Sequence, residues 1–188
     1  GLKKAVGDYI MFLDSDDLWV KNKIEIQLEI FERNPHIDFL GANRDGSKIG
    51  SFLGKKFNRI NFISANLLMY KNFFMTSTVA FKREVISEIG FFNERMSYCE
   101  DWEYFLRIAY KYKCYLFNES LVNSVTNKPA YGFSGLSSNL WEMEKGELKT
   151  IKLASCTSVN SIELQTYCQK NNICYIILNV TNLRKCVE

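Results

Sequence analysis

Asp8-Tyr-Ile-Met-Phe-Leu13, followed at once by Asp14-Ser-Asp-Asp17, is the stretch on which the fold turns. A short continuous apolar run is the pattern of a strand buried on both faces of an α/β sheet, and this one ends abruptly in charge. Its acids therefore sit at a strand's carboxyl end, the edge at which open α/β sheets bind ligands. From about Val20 to Arg33 the apolar positions Ile24, Leu28 and Phe31 recur at helical spacing between Lys and Glu, and Asn34-Pro35 stops the helix. Strand, acidic turn and helix follow in that order.

Downstream, Ile37-Asp-Phe-Leu-Gly41 reads as a second strand with Asp45-Gly46 as a turn signal behind it. Ser64 to Tyr70 reads as a short helix and Thr76 to Phe81, rich in β-branched residues, as a strand. Lys82 to Ile89 is a helix closed by Gly90, Glu100 to Tyr112 a helix with Phe105, Ile108 and Ala109 inward, and Cys114 to Phe117 a strand. Alternating short strands and helices indicate an α/β layered domain. After Lys128 the character changes: Tyr131-Gly-Phe-Ser-Gly-Leu-Ser137 is a loop, and Ser138 to Ala154 an amphipathic helix carrying Leu140, Met143, Leu148 and Ile151. Residues 1–137 thus form one unit, and 138–188 a C-terminal helical extension whose apolar run Ile173 to Val180 is assigned to neither sheet nor partner surface.

With 188 residues, 47% of them hydrophobic, the chain can bury a continuous core. A net charge of +3, with Lys and Arg mixed among Asp and Glu, does not point to nucleic acid as partner. The pair Lys55-Lys56 reads as solvated surface, with anionic lipid headgroups or a substrate diphosphate as the other reading. Six cysteines without a CxxC pair and a single histidine, His36, make no zinc site and read as reduced thiols. The sequence shows no secretory signal and no long apolar run, so a cytoplasmic location is expected.

Asp14, Asp16 and Asp17 crowd carboxylates together, where mutual repulsion raises their pKa values unless a cation neutralises them. Oxygen-only ligands select Mg²⁺ or Mn²⁺, ions that use one or two carboxylates and fill the remaining positions with water and phosphate oxygens. Helix N-terminal acidity accounts for one or two of these acids but does not require the third. The second constellation, Glu100-Asp101-Trp102-Glu103, opens a helix and is weak alone. Coupled to the first it gains meaning, because transfer to a hydroxyl needs a carboxylate outside the metal shell to accept the proton.

Gly7-Asp-Tyr-Ile-Met-Phe-Leu-Asp-Ser-Asp-Asp-Leu-Trp19 with Lys23-Ile-Glu-Ile-Gln27 closely resembles the DxD region of family-two inverting glycosyltransferases of bacterial polysaccharide synthesis. Thr76-Ser-Thr-Val-Ala-Phe-Lys-Arg83, Ile89-Gly-Phe-Phe-Asn-Glu94 and Tyr98-Cys-Glu-Asp-Trp-Glu-Tyr-Phe-Leu-Arg107 resemble that family's later segments in the same order. The resemblance implies a GT-A-like α/β sandwich with a mixed, mostly parallel sheet, lacking its first strands. It implies that Asp14 and Asp16 hold the metal on a nucleotide-sugar donor with Asp17 in support, that Asp101 is the general base, and that Glu100 positions it or the acceptor. Trp102 and Thr78 fall on the acceptor side, Trp102 reading as a core anchor for its helix ahead of a sugar platform, and Tyr131–Ser137 occupies the place of a loop that closes over the donor. The acceptor implied is a glycan or lipid-linked hydroxyl at the inner face of a membrane.

The family's opening strand, its Pro-x-Tyr-Asn turn and the strand carrying an acid for base and ribose have no counterpart in this sequence. The expectation is a fragment cut upstream, with a bared sheet edge that invites a homo-oligomer. A non-catalytic binding or scaffold module stays open as the alternative. A nucleotidyl- or phosphoryltransferase would want a Gly-rich phosphate loop or basic clamp, and neither stands out.

Overall fold

The computed structural model describes residues 1–125 and 136–157. Its strands are β1 (Tyr9–Met11), β2 (Asp17–Trp19), β3 (Phe39–Arg44), β4 (Ser51–Phe52), β5 (Lys55–Lys56), β6 (Ile60–Phe62), β7 (Ala80–Lys82) and β8 (Cys114–Ser124). Its helices are α1 (Lys23–Arg33), α2 (Ala65–Tyr70), α3 (Glu84–Ile89), α4 (Glu100–Lys111) and α5 (Leu140–Thr157). The main sheet runs β1-β7-β3-β8-β2, with β6 also on β8, while β4 and β5 form a separate hairpin.

The expectation of a mostly parallel sheet needs correcting. Among the described residues only β3 and β8 are parallel; β7 lies antiparallel to both β1 and β3, and β8 is antiparallel to β2 and β6. The strand expected over Thr76 to Phe81 starts later, because Thr76–Thr78 closes a 3-10 turn before β7 begins. Asp17-Leu-Trp19, read as the run into a helix, instead pairs with the far end of β8, Leu18 opposite Asn123. That end is reached because the β3–β8 register slips after Ala42, so that β8 bends and serves two sets of neighbours.

Alternation along the strands sorts side chains between two layers. Ile10, Phe39, Phe81 and Leu116 point to the face covered by α2, α3, α4 and α5, where Phe39 meets the rings of Phe74, Phe81 and Phe105 at 4.8, 5.7 and 5.3 Å between centroids. Leu40, Ala42, Ala80 and Phe117 point to the opposite face, against Ile30 and Phe31 of α1. Burying each such Phe or Leu contributes about 1.5–3 kcal/mol.

α1 is rotated from the face its apolar spacing suggests. Ile24 is 47% exposed, whereas Lys23 and Gln27 are buried with Ile30 and Phe31. Lys23 Nζ lies 4.3 Å from the centroid of the Trp19 ring and donates to Gln27 Oε1 at 2.6 Å, and Gln27 Nε2 donates to the Thr78 carbonyl at 2.9 Å. Burial pulls the Lys23 ammonium down to about 8. The helix is thus seated by a polar stitch to the sheet as well as by grease. α5 packs on α4 and sends Ala154, Met143 and Ile151 to the same core as the aromatic face.

Gly41, central in β3, has Phe74 against it: a Cβ there would fall 2.4 Å from Phe74 Cδ1. Gly41→Ala is therefore expected to destabilise the fold by about 1–3 kcal/mol, read as a lower urea midpoint, with Phe74→Leu in the same chain recovering part of the loss.

Candidate active site

The antiparallel register of β1 on β7 pairs Met11 with Ala80. Continued three residues past the sheet, that register sets Asp14 opposite Ser77. The contact is made: Asp14 N–H donates to Ser77 Oγ at 3.0 Å, and Trp19 Nε1–H donates to the Ser77 carbonyl at 2.9 Å. Ser77, 1% exposed, thereby fixes both ends of the acidic turn.

Asp14 and Asp16 are exposed, and Asp17 is partly covered, its carboxylate 3.9 Å from Arg44 Nη1. Arg44 also reaches Asp45 at 2.9 Å. The Asp14 carboxyl is raised above its ordinary value by burial first and then by Asp17 and Asp16, with Ser77 and Arg44 pulling the other way. Negative charge is concentrated here and only partly offset.

Glu100 and Asp101 open α4. The residue before them, Cys99, is held at φ 58°, ψ 22°, a left-handed conformation that L side chains adopt rarely. Asp101 Oδ1 accepts from the Trp102 N–H at 2.7 Å. Even so, the carboxyl is pushed up to about 6, chiefly by burial, with Glu100 and Asp14 adding repulsion. Asp14, distant in sequence, is thus among the charges that act on Asp101.

Two residues expected on the acceptor side are turned away from it. Thr78 is fully buried and spends its hydroxyl on the Met75 carbonyl at 2.8 Å. Trp102, 7% exposed, donates Nε1–H to the Leu68 carbonyl at 2.9 Å, so it anchors α4 in the core. Two polar residues were missed. Ser77 is hidden by a Thr-Ser-Thr run in which only the turn decides which hydroxyl faces the acids, while Arg44 had a legible signal as a cation ending a strand beside an Asp-Gly turn.

α5 supports the α4 entrance from behind. Gly146 is buried against it: a Cβ would stand 2.8 Å from the Tyr98 carbonyl oxygen and 3.1 Å from Cys99 Sγ. Lys149 Nζ donates to the Arg95 carbonyl at 2.9 Å, and Cys99 Sγ reaches the Met143 carbonyl at 3.5 Å. Of the expected donor loop Tyr131–Ser137, residues 131–135 lie outside the described residues.

Among the described residues no three His, Cys, Asp or Glu side chains are gathered as a ready-made metal cluster. The donor set suits a hard cation held by one or two carboxylates and completed by phosphate oxygens and water. Asp14, raised by its acidic neighbours, is the carboxylate that such a charge would relieve.

A mixed sheet between helical layers is similar to the fold of the GT-A glycosyltransferase structures. The S. aureus TarS structure in complex with UDP-GlcNAc has this fold, with TM-score 0.55 and 12% identity over 84% of this chain and 45% of that one. Residues 1–90 match the model of glycosyl transferase family 2. Amylovoran biosynthesis glycosyltransferase AmsB of Erwinia amylovora is 33% identical over 115 residues, 57% of this chain and 38% of that protein. The UDP-Glc:alpha-D-GlcNAc-diphosphoundecaprenol beta-1,3-glucosyltransferase WfgD of Escherichia coli is 43% identical over 54 residues, 29% of this chain and 21% of that protein. The chain spans less than half the length of these relatives.

Because Asp101 titrates at about 6 when folded against 3.8 ordinarily, the folded state holds more protons between those values and stability falls as pH rises through them. The cost is fully present above about 6. Asp101→Asn is therefore expected to raise the melting temperature near neutral pH, by the equivalent of about 1–2 kcal/mol, and to leave it unchanged in acid below the ordinary carboxylate range. Gly146→Ala, a change that usually stabilises a helix interior by roughly 0.5–1 kcal/mol, is expected to lower the melting temperature instead, because α5 must lift off Tyr98 and Cys99.

Proposed function

We propose that this chain carries the catalytic centre of an inverting glycosyltransferase that moves a sugar from a nucleotide-diphosphate donor to a hydroxyl acceptor. The observation that supports the reading is the match of residues 1–90 to glycosyl transferase family 2, joined to a buried, raised Asp101 on which Asp14 is one of the acting charges. In this reading Asp14 and Asp16 hold Mg²⁺ or Mn²⁺, with Asp17, pinned by Arg44, in support. The cation supplies neutralisation of the charge that gathers on the leaving diphosphate.

Asp101 accepts the proton of the acceptor hydroxyl as its oxygen bonds to the anomeric carbon. The bond from that carbon to the diphosphate oxygen breaks, and its electron pair leaves with the nucleotide diphosphate. Attack opposite the leaving group inverts the anomeric centre. A carboxyl near 6 is suited to this work, being ionised at neutral pH yet basic enough to take a proton. Glu100 contributes by repulsion that keeps the Asp101 value up. Ser77 and the Gln27 stitch beneath it hold the acidic turn without touching substrate.

The relatives suggest which ligands to test. WfgD is named for UDP-Glc and a diphosphoundecaprenol-linked acceptor, and the TarS structure holds UDP-GlcNAc. A uridine nucleotide sugar, and a lipid-linked or glycan acceptor at the cytoplasmic face of a membrane during polysaccharide assembly, are the corresponding proposals here. No described helix is long and apolar enough to cross a membrane.

Isothermal titration with a uridine diphosphate sugar and Mn²⁺ separates the roles. Asp16→Asn is expected to abolish metal-dependent donor heat, whereas Asp101→Asn keeps it and lowers transfer by roughly 10²–10⁴-fold. Equal loss of donor binding in both variants overturns the assignment, and a wild-type chain that gives no metal-dependent heat is a binding module instead. In the wild type, kcat/KM should rise with pH as Asp101 ionises and level off above about 6.

A further inference from the structure

The overall charge balance conceals a local imbalance. From Gly46 to Arg83 the sequence contains no Asp or Glu at all. Three of its cations are neutralised from elsewhere: Arg59 by Glu119, Lys82 by Asp38 and Arg83 by Asp8. Among the described residues no carboxylate is in ion-pair range of Lys48, Lys55, Lys56 or Lys71. Two of these lysines lie on the β4–β5 hairpin and a third packs against it. Lys55 Nζ is 5.7 Å from the centroid of Phe57 and donates to the Phe62 carbonyl at 2.7 Å, and Lys71 Nζ lies 5.8 Å from Phe52 and 5.5 Å from Phe73.

The hairpin tip breaks a local rule. Leu53 and Gly54 turn the chain with φ 49° and 75°, a geometry that favours Gly, Asn or Asp at both positions. Leucine there carries the strain of a left-handed backbone and is still left 47% exposed. Phe62, next to Lys55, is 45% exposed. A solvated turn has no use for this combination, whereas the boundary between headgroups and acyl chains rewards an apolar tip ringed by lysines and aromatic rings.

We propose that the β4–β5 hairpin is a membrane-docking element that inserts Leu53 into an anionic bilayer surface while Lys55, Lys56 and Lys71 engage the headgroup phosphates. β1 and β3 are both antiparallel to β7, so they run the same way and end at the same sheet edge. The acidic turn leaves that edge after β1, and the chain to the hairpin leaves it after β3. The inference concerns location and holds whether or not the site transfers sugar.

Co-sedimentation of the full chain with vesicles, without donor or metal, tests it. The chain should sediment with phosphatidylcholine vesicles doped with phosphatidylglycerol, not with phosphatidylcholine alone, and should be released as ionic strength rises several-fold. Lys55→Glu with Lys56→Glu should lower the partition coefficient at least about twentyfold, at roughly fivefold per basic residue. Leu53→Ser, which changes no charge, should lower it roughly fivefold, and circular dichroism should show both variants folded. Equal sedimentation with phosphatidylcholine alone, or folded variants that bind like the wild type, overturns the proposal. Release by millimolar inorganic phosphate at matched ionic strength also overturns it, by marking a discrete anion site.

Discussion

Strand β7 is antiparallel to both of its neighbours, and the site depends on that one pairing. Because β7 runs against β1 and β3, its entry turn must lie at their carboxyl ends, and the register of Met11 on Ala80 sets Ser77 opposite Asp14. A parallel β7 would send Thr76–Thr78 to the other edge and leave the acidic turn without its anchor. The turn is thus held by the ladder, through a buried hydroxyl and a carbonyl.

Around this anchor the fold tolerates charge where it is useful and offsets it elsewhere. Asp14 is raised by burial and by Asp17 and Asp16, and Asp101 by burial with Glu100 and Asp14 adding repulsion, at a cost in stability, while Arg44 offsets part of the charge at Asp17. Glu103, one turn into α4, shows the opposite treatment: it is buried but paired with Arg107 at 2.8 Å, and that guanidinium also binds the Ile89 and Phe91 carbonyls. A paired acid and a raised acid on the same helix separate what holds α4 in place from what α4 presents.

The strained positions follow the same logic. Cys99 adopts a left-handed backbone immediately before Glu100, with α5 pressed against it through Gly146. Leu53 does so at the tip of an exposed hairpin. Neither residue type favours that conformation; one stands at the entrance of the helix that carries Glu100 and Asp101, and the other beside lysines that have no carboxylate in ion-pair range among the described residues.

The sequence by itself determined the local elements whose signals are short in range: the apolar run of β1, the Asp45-Gly46 turn, the Gly90 helix stop, the Ser64 cap and the acidic clusters at 14–17 and 100–101. Each depends on residues within a few positions of one another, as turn geometry, capping and burial on both faces of a strand do. Tertiary structure alone decided the rest. The direction of β7, the recruitment of Asp17–Trp19 as a strand, the rotation of α1 onto Lys23 and Gln27, and the choice of Ser77 over Thr78 all follow from partners far away in sequence. A hydroxyl or a strand edge carries no local mark of which partner it will meet, so its role is fixed only when the ladder closes and the remaining polar groups must find one another.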